Sequence, residues 1–198
     1  MSTGAPGNAY SPQIAFDPNG NAIIVWEQSE LETGNVWVNR YIAGSGWGTA
    51  HALQPSNASA AGNADLAIDG NGRALVVWSQ IDATEGNIWA ARFDSSTGWS
   101  MPELIEERTG DAGLPQVATD AAGNAIAVWQ QSDGNARNDI WSCRFSPDTG
   151  WDTSVLVETK EGNAHSPQVA LGSNGIGGVV WVQSDGTSDN ILGREYSG

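Results

Sequence analysis

Side chains able to do chemistry gather in four corresponding places along this chain. Trp26, Trp78, Trp129 and Trp181 are each followed two residues later by a glutamine, Gln28, Gln80, Gln131 and Gln183. A short stretch rich in carboxylates and amides comes next, holding Glu30, Asp82, Asp133, Asp139, Asp185 and Asp189. Acceptor-rich groups of this kind suit sugar hydroxyls or a hard cation, and paired carboxylates can serve glycoside hydrolysis. Asp133-Gly-Asn135 and Asp185-Gly-Thr-Ser-Asp189 come nearest to calcium-ligand spacing, yet neither reaches the terminal Glu of a twelve-residue calcium loop. No motif requires a cofactor, and calcium is the one these loops could accept.

Other chemistries lack their residues. There is no Gly-x-Ser-x-Gly elbow and no phosphate loop, and His51 and His165 stand alone. Cys143 is the single cysteine, which excludes an internal disulfide or a cysteine-based zinc site and reads as a small buried hydrophobe. The net charge of −15, with Lys160 the only lysine, repels phosphate backbones and anionic lipid surfaces, so nucleic acid and membrane are not expected partners. Asn57-Ala-Ser59 matches a glycosylation acceptor, a short signal. Residues 1–6 lack the basic and apolar regions of a secretion signal. They resemble the connectors further along, as in an excised piece of a secreted protein; a cytosolic protein is the alternative.

The elements that must position these residues follow from one phrase. Asp17-Pro-Asn-Gly-Asn-Ala-Ile-Ile-Val-Trp26 is written again at residues 69–78 and 120–129, with a divergent copy at 172–181. Each copy joins two apolar runs through an Asp and, three residues later, a Gly able to take positive φ, the grammar of a β-hairpin with a type I turn and bulge. The four tryptophans are separated by 52, 51 and 52 residues, a period that means a propeller or a solenoid. The repeats fall at about 10–57, 58–109, 110–161 and 162–198.

Within the first repeat the pattern predicts strand A at 12–16, strand B at 22–28, strand C at 35–42 and strand D at 46–54. The fourth repeat has A, B and C only. Four short antiparallel strands per unit make a propeller blade; β-helix rungs need a much shorter period. The fold expected is all-β, a β-propeller of four repeats of about 52 residues, the last blade lacking its outer strand. The tryptophans recur at fixed positions and read as inter-blade packing. Asp17, Asp69 and Asp120 open the A–B turns, and Arg40, Arg92 and Arg144 end strand C. Gly172 and Glu195 replace both partners together in the fourth repeat, so Arg–Asp pairing is expected in the first three.

The pattern Pro-Gln-Val-Ala-x-Asp-x-x-Gly-Asn-Ala-x-x-Val-Trp, then Asn-Ile-Trp-x-x-Arg-Phe and Gly-Trp, resembles a bacterial propeller repeat of large uncharacterised cell-surface proteins. Its Asp-x-x-Gly-Asn turn is similar to NHL-type propeller hairpins and, more distantly, to the Asp-box of sialidases. The Ser-x-Asp-x-Gly-x-x-Trp spacing and an arginine triad are missing for the last. The resemblance implies a propeller in an extracellular or cell-surface setting, with no assigned activity.

The function expected is a non-enzymatic binding or assembly module that recognises carbohydrate on the rim formed by the B–C and D–A loops. A glycoside hydrolase or lyase using loop carboxylates is the rival, and a purely structural segment of a surface protein the third reading. Four blades without a final outer strand leave an edge open; they can close alone as a small propeller, or two chains can close an eight-bladed ring, which is the expected association.

Overall fold

The computed structural model describes residues 7–30, 33–54, 60–82, 84–132, 134 and 137–196. Four antiparallel sheets follow one another along the chain. The first holds β1 (Ala9–Phe16), β2 (Ala22–Glu30), β3 (Thr33–Ile42), β4 (Gly46–Trp47) and β5 (His51–Ala52). The second holds β6 (Ala61–Ile68), β7 (Ala74–Asp82), β8 (Glu85–Asp94), β9 (Gly98–Trp99) and β10 (Glu103–Leu104). The third holds β11 (Ala112–Thr119), β12 (Ala125–Ser132), β13 (Asn138–Ser146), β14 (Gly150–Trp151) and β15 (Val155–Leu156). The fourth has three strands, β16 (Ala164–Leu171), β17 (Gly177–Ser184) and β18 (Asp189–Tyr196). These are the four blades of a β-propeller, the last without its outer strand. The inner strands pack in series, β1 on β6, β6 on β11 and β11 on β16.

The turn that repeats in the sequence works as its chemistry suggests. Asp17 accepts from the backbone N–H of Asn19 (2.8 Å) and of Asn21 (2.9 Å), and its other oxygen accepts from the Asn21 amide (2.7 Å). Gly20 sits at φ 79° and Gly72 at 77°, a region where a Cβ would be strained. Hydrogen bonds from Asn21 and Asn19, with the Arg40 charge beyond them, outweigh the desolvation of Asp17 and hold its carboxyl below the usual range.

Two boundaries differ from the sequence reading, and both differences recur. Strand A begins three residues early, at Ala9, because the register slips between Tyr10 and Gln13 over Ser11 at φ 49°. Asn63, Leu114 and Ser166 repeat this positive φ in the other blades. The bulge frees an amide that the preceding blade captures: Asn63 N–H donates to Glu27 (2.7 Å), and Ser166 N–H to Gln130 (3.2 Å). Strand D, expected as one run, is two pairs of residues, each bonded to strand C. Between them a side chain interrupts the ladder. The Asn39 oxygen accepts from Arg40 N–H at 2.7 Å, and its amide donates to the Gly48 carbonyl at 3.1 Å; Ser100 accepts from Arg92 N–H in the second blade.

The core lies between blades. Val25 and Val38 of the first meet Val76, Trp78 and Ala91 of the second. Val77, Ile88 and Ala90 meet Ala127 and Trp129, and Val128 and Ile140 meet Val179 and Trp181. Trp78 and Trp129 are fully buried, so removing either indole would cost about 3–5 kcal/mol. This bears out their reading as packing residues.

Candidate functional site on the loop rim

The glutamines that mark each B-strand exit are buried, and each accepts from the indole N–H two residues before it. Trp26 donates to Gln28 at 3.2 Å, Trp78 to Gln80 at 3.3 Å, Trp129 to Gln131 at 3.1 Å and Trp181 to Gln183 at 2.9 Å. Strand geometry explains this, since residues two apart point to the same face. Expected on the recognition rim, these side chains are instead anchored beneath it by a bond that fixes which way the amide faces.

What the second amide hydrogens meet differs from blade to blade. Gln80 donates to Asp82 (2.9 Å); Gln131 donates to Glu106 of the preceding blade (2.7 Å) and to the Arg108 carbonyl (3.1 Å). Gln183 Nε2 is buried and has no partner among the described residues. It lines a cleft of about 370 Å³ with Lys160, Glu161, Asp185 and Asn190.

The predicted acidic residues separate into three groups. Asp82 also accepts from Asn87 (3.2 Å) and from the Trp89 indole (2.7 Å), so it braces its own blade. Asp185 is exposed, and its loop surrounds it: Thr187 N–H (2.9 Å), Thr187 hydroxyl (2.7 Å) and Ser188 N–H (2.8 Å) donate to one oxygen. Those hydrogen bonds hold its carboxyl far below the ordinary carboxylate range. Asp189, also exposed, opens β18. Asp133, the side chain of Glu30 and Asn57-Ala-Ser59 lie outside the described residues. No group of three or more His, Cys, Asp or Glu among the described residues is placed to hold a metal ion.

Asp139 stands apart because it meets a carboxyl that the sequence reading passed over. Glu158, at the end of the third blade's outer segment, is buried and accepts from Ile140 N–H with both oxygens (2.9 and 2.8 Å). Burial, together with a hydrogen bond to Asp139 and its charge, pushes Glu158 up to about 7 against the lowering effect of backbone N–H groups. Arg137 pairs with Asp139 at 2.9 Å. Glu158 is therefore the group of the two that holds a proton near neutral pH. Aligning the repeats would have found it: Gln54, Glu106 and Glu158 share one position, and in the first blade Gln54 donates to Asn35 at 2.8 Å.

On the opposite rim the expected Arg–Asp pairing is corrected for two of the three. Arg40 and Arg92 make no ion pair with a turn aspartate. Arg40 lies over Phe93 and Arg92 over Phe145, at 4.9 and 5.4 Å from the ring centroids, each reaching into the next blade. Arg144 lies likewise over Tyr196 at 5.1 Å. The aspartates are already bound within their turns. Asp69 accepts from Arg73 Nε (2.7 Å), and Asp120 from the Asn124 amide (2.7 Å). Stacking wins because the next blade places an aromatic ring above each guanidinium.

No protein-family model matches the chain, nor does any curated protein sequence. Solved structures do. An α-L-arabinanase of Penicillium chrysogenum complexed with arabinobiose superposes with a TM-score of 0.68 at 16% identity, covering 95% of this chain and 62% of that one. An endo-arabinase of Bacteroides thetaiotaomicron gives 0.59 at 12% identity, covering 95% and 75%. An ulvan lyase bound to a saccharide gives 0.65 at 10% identity, covering 93% and 52%. The chain therefore spans between about half and three quarters of the length of these neighbours. The likeness is one of β-propeller fold, shared with glycoside hydrolases and lyases. The narrower resemblance to a surface-protein repeat family is carried by no family model. The expectation of a non-enzymatic binding module is corrected by these neighbours, which favour the hydrolase or lyase alternative.

Proposed function

We propose that this chain is a carbohydrate-active enzyme of hydrolase or lyase type, acting on a glycan at the loop rim of the third and fourth blades. The observation that carries the proposal is the contact of Asp139 with buried Glu158, whose proton affinity burial raises, beside Arg137, on a fold like that of arabinanases and an ulvan lyase. A carboxyl protonated near neutral pH can give its proton to a departing glycosidic oxygen; once ionised it can take one from water or from a sugar carbon. Those are the proton transfers of hydrolysis and elimination. Buried Glu158 is the member that holds the proton, and Asp139, whose side chain is 14% exposed, is the member that meets substrate and passes the proton on. Lys160 and Asn190, in the cleft above buried Gln183, supply polar contacts for sugar oxygens.

One observation favours a second reading. Gln54 and Asn35 hold the same positions in the first blade as a neutral amide pair, which makes the carboxyl pair a structural clip. The double variant Asp139→Asn, Glu158→Gln rebuilds that amide pair in the third blade and separates the two. Release of reducing or unsaturated ends from arabinan or ulvan by the parent, lost in the double variant at unchanged melting temperature, supports catalysis. A parent chain that releases neither sinks the proposal.

A further inference from the structure

The three joints between blades use the same positions each time, and the chain displays both halves of a fourth. On the side facing the next blade, Val25, Val77 and Val128 are wholly buried, as are Val36, Ile88 and Ile140. Their counterparts in the fourth blade, Val180 and Ile191, are 46% and 71% exposed. On the side facing the preceding blade, Leu66 and Trp99 pack onto the first blade, and Val117 and Trp151 onto the second. The equivalent Ile14 and Trp47 of the first blade are exposed, as are Tyr10 and Phe16 on the same strand. Apolar surface gathered this way marks an interaction site. Here its shape is that of a joint already made three times.

We propose that the occupant is a second copy of this chain, its first blade docking on the fourth blade of the other and the reverse, to close an eight-bladed ring with two-fold symmetry. In a ring built only from copies of this chain, blades come in fours. Four is excluded because β1 and β16 form no packed interface and their outward faces are bare. Eight is the smallest number left, and a closed two-fold arrangement buries both faces of both copies. Each joint continues an interface whose chemistry the chain already contains. Val180 and Ile191 take the places of the buried Val and Ile pairs, and Ile14, Phe16 and Trp47 those of Leu66, Ile68 and Trp99.

Light scattering coupled to size exclusion, at micromolar concentration, tests this directly. The chain is expected at twice its 20.7 kDa mass. Phe16→Glu and Ile191→Asp, on opposite faces, should each lower the dimer fraction at least tenfold while circular dichroism stays unchanged. Mixing the two should recover a dimer through the one intact joint. A monomer of the parent chain overturns the proposal, and so does a dimer indifferent to both substitutions. A third outcome, each variant dimeric alone but the mixture no stronger, points to contacts between like faces and also overturns it.

Discussion

Gln131 of the third blade donates through Nε2 to the buried carboxylate of Glu106 in the second, at 2.7 Å, while its oxygen accepts from the Trp129 indole at 3.1 Å. One amide thereby serves a core indole and a neighbouring blade at once. Gln131→Ala leaves the indole N–H buried without its acceptor and strips Glu106 of one donor, Arg108 N–H remaining, and the expected cost is about 1–3 kcal/mol. Urea unfolding checks it; a loss no larger than that of an exposed Gln→Ala change would show that the blade joint does not depend on this bond.

Glu158 gives stability a definite pH dependence. Its folded value, about 7, lies above the ordinary 4.5, so the folded state binds the extra proton. Its contribution is complete below pH 4.5 and is lost as pH rises through 7, on the order of 2 kcal/mol in all. Burial raises Asp65 and Glu106 as well, which adds in the same sense. Asp17, Asp94 and Asp185 are lowered, and their contributions are lost only in more acid solution, as pH falls through their depressed values. Melting temperature should therefore fall between pH 5 and 8, and Glu158→Gln should flatten that slope.

Arg92 is expected to act through its ring contact. Arg92→Ala should destabilise by about 0.5–2 kcal/mol, with part of that loss retained by Arg92→Lys and little change in 1 M salt. Equal loss in the two variants, abolished by salt, would restore an ion-pair account.

Cys143 donates to the Asp152 carbonyl at 2.9 Å, and burial, with the charges of Asp152 and Glu107, pushes its thiol up to about 12. The thiolate is the reactive form, so a thiol reagent should label the native protein only at the rate of unfolding. Fast labelling without denaturant would contradict the burial.

Asp69 holds its turn through Asn71 N–H, Arg73 N–H and the Arg73 guanidinium, which also donates to the Ala122 carbonyl of the next blade. Asp69→Ala should cost about 1–3 kcal/mol and leave any glycan cleavage intact. If cleavage disappears at retained stability, the working rim is the turn rim.

The sequence by itself determined the repeat, the hairpin turns, the three-stranded last blade and the burial of Trp26, Trp78, Trp129 and Trp181, because each is written in local spacing. Asp17 and Gly20 sit three residues apart, and a turn of that length has few ways to satisfy its amides. Only the tertiary structure decided which side chains meet across blades. Gln183 reads as a rim amide until Trp181 turns its oxygen inward. Arg40 reads as a partner for Asp17 until the second blade sets Phe93 beneath it. Asp139 and Glu158 lie 19 residues apart with the whole outer hairpin between them; the repeat aligns them with Asn35 and Gln54, but that they touch is decided by the folded blade. The raised proton affinity of Glu158 arises from burial and from a neighbouring charge, and both are properties of the packed blade rather than of the chain's order.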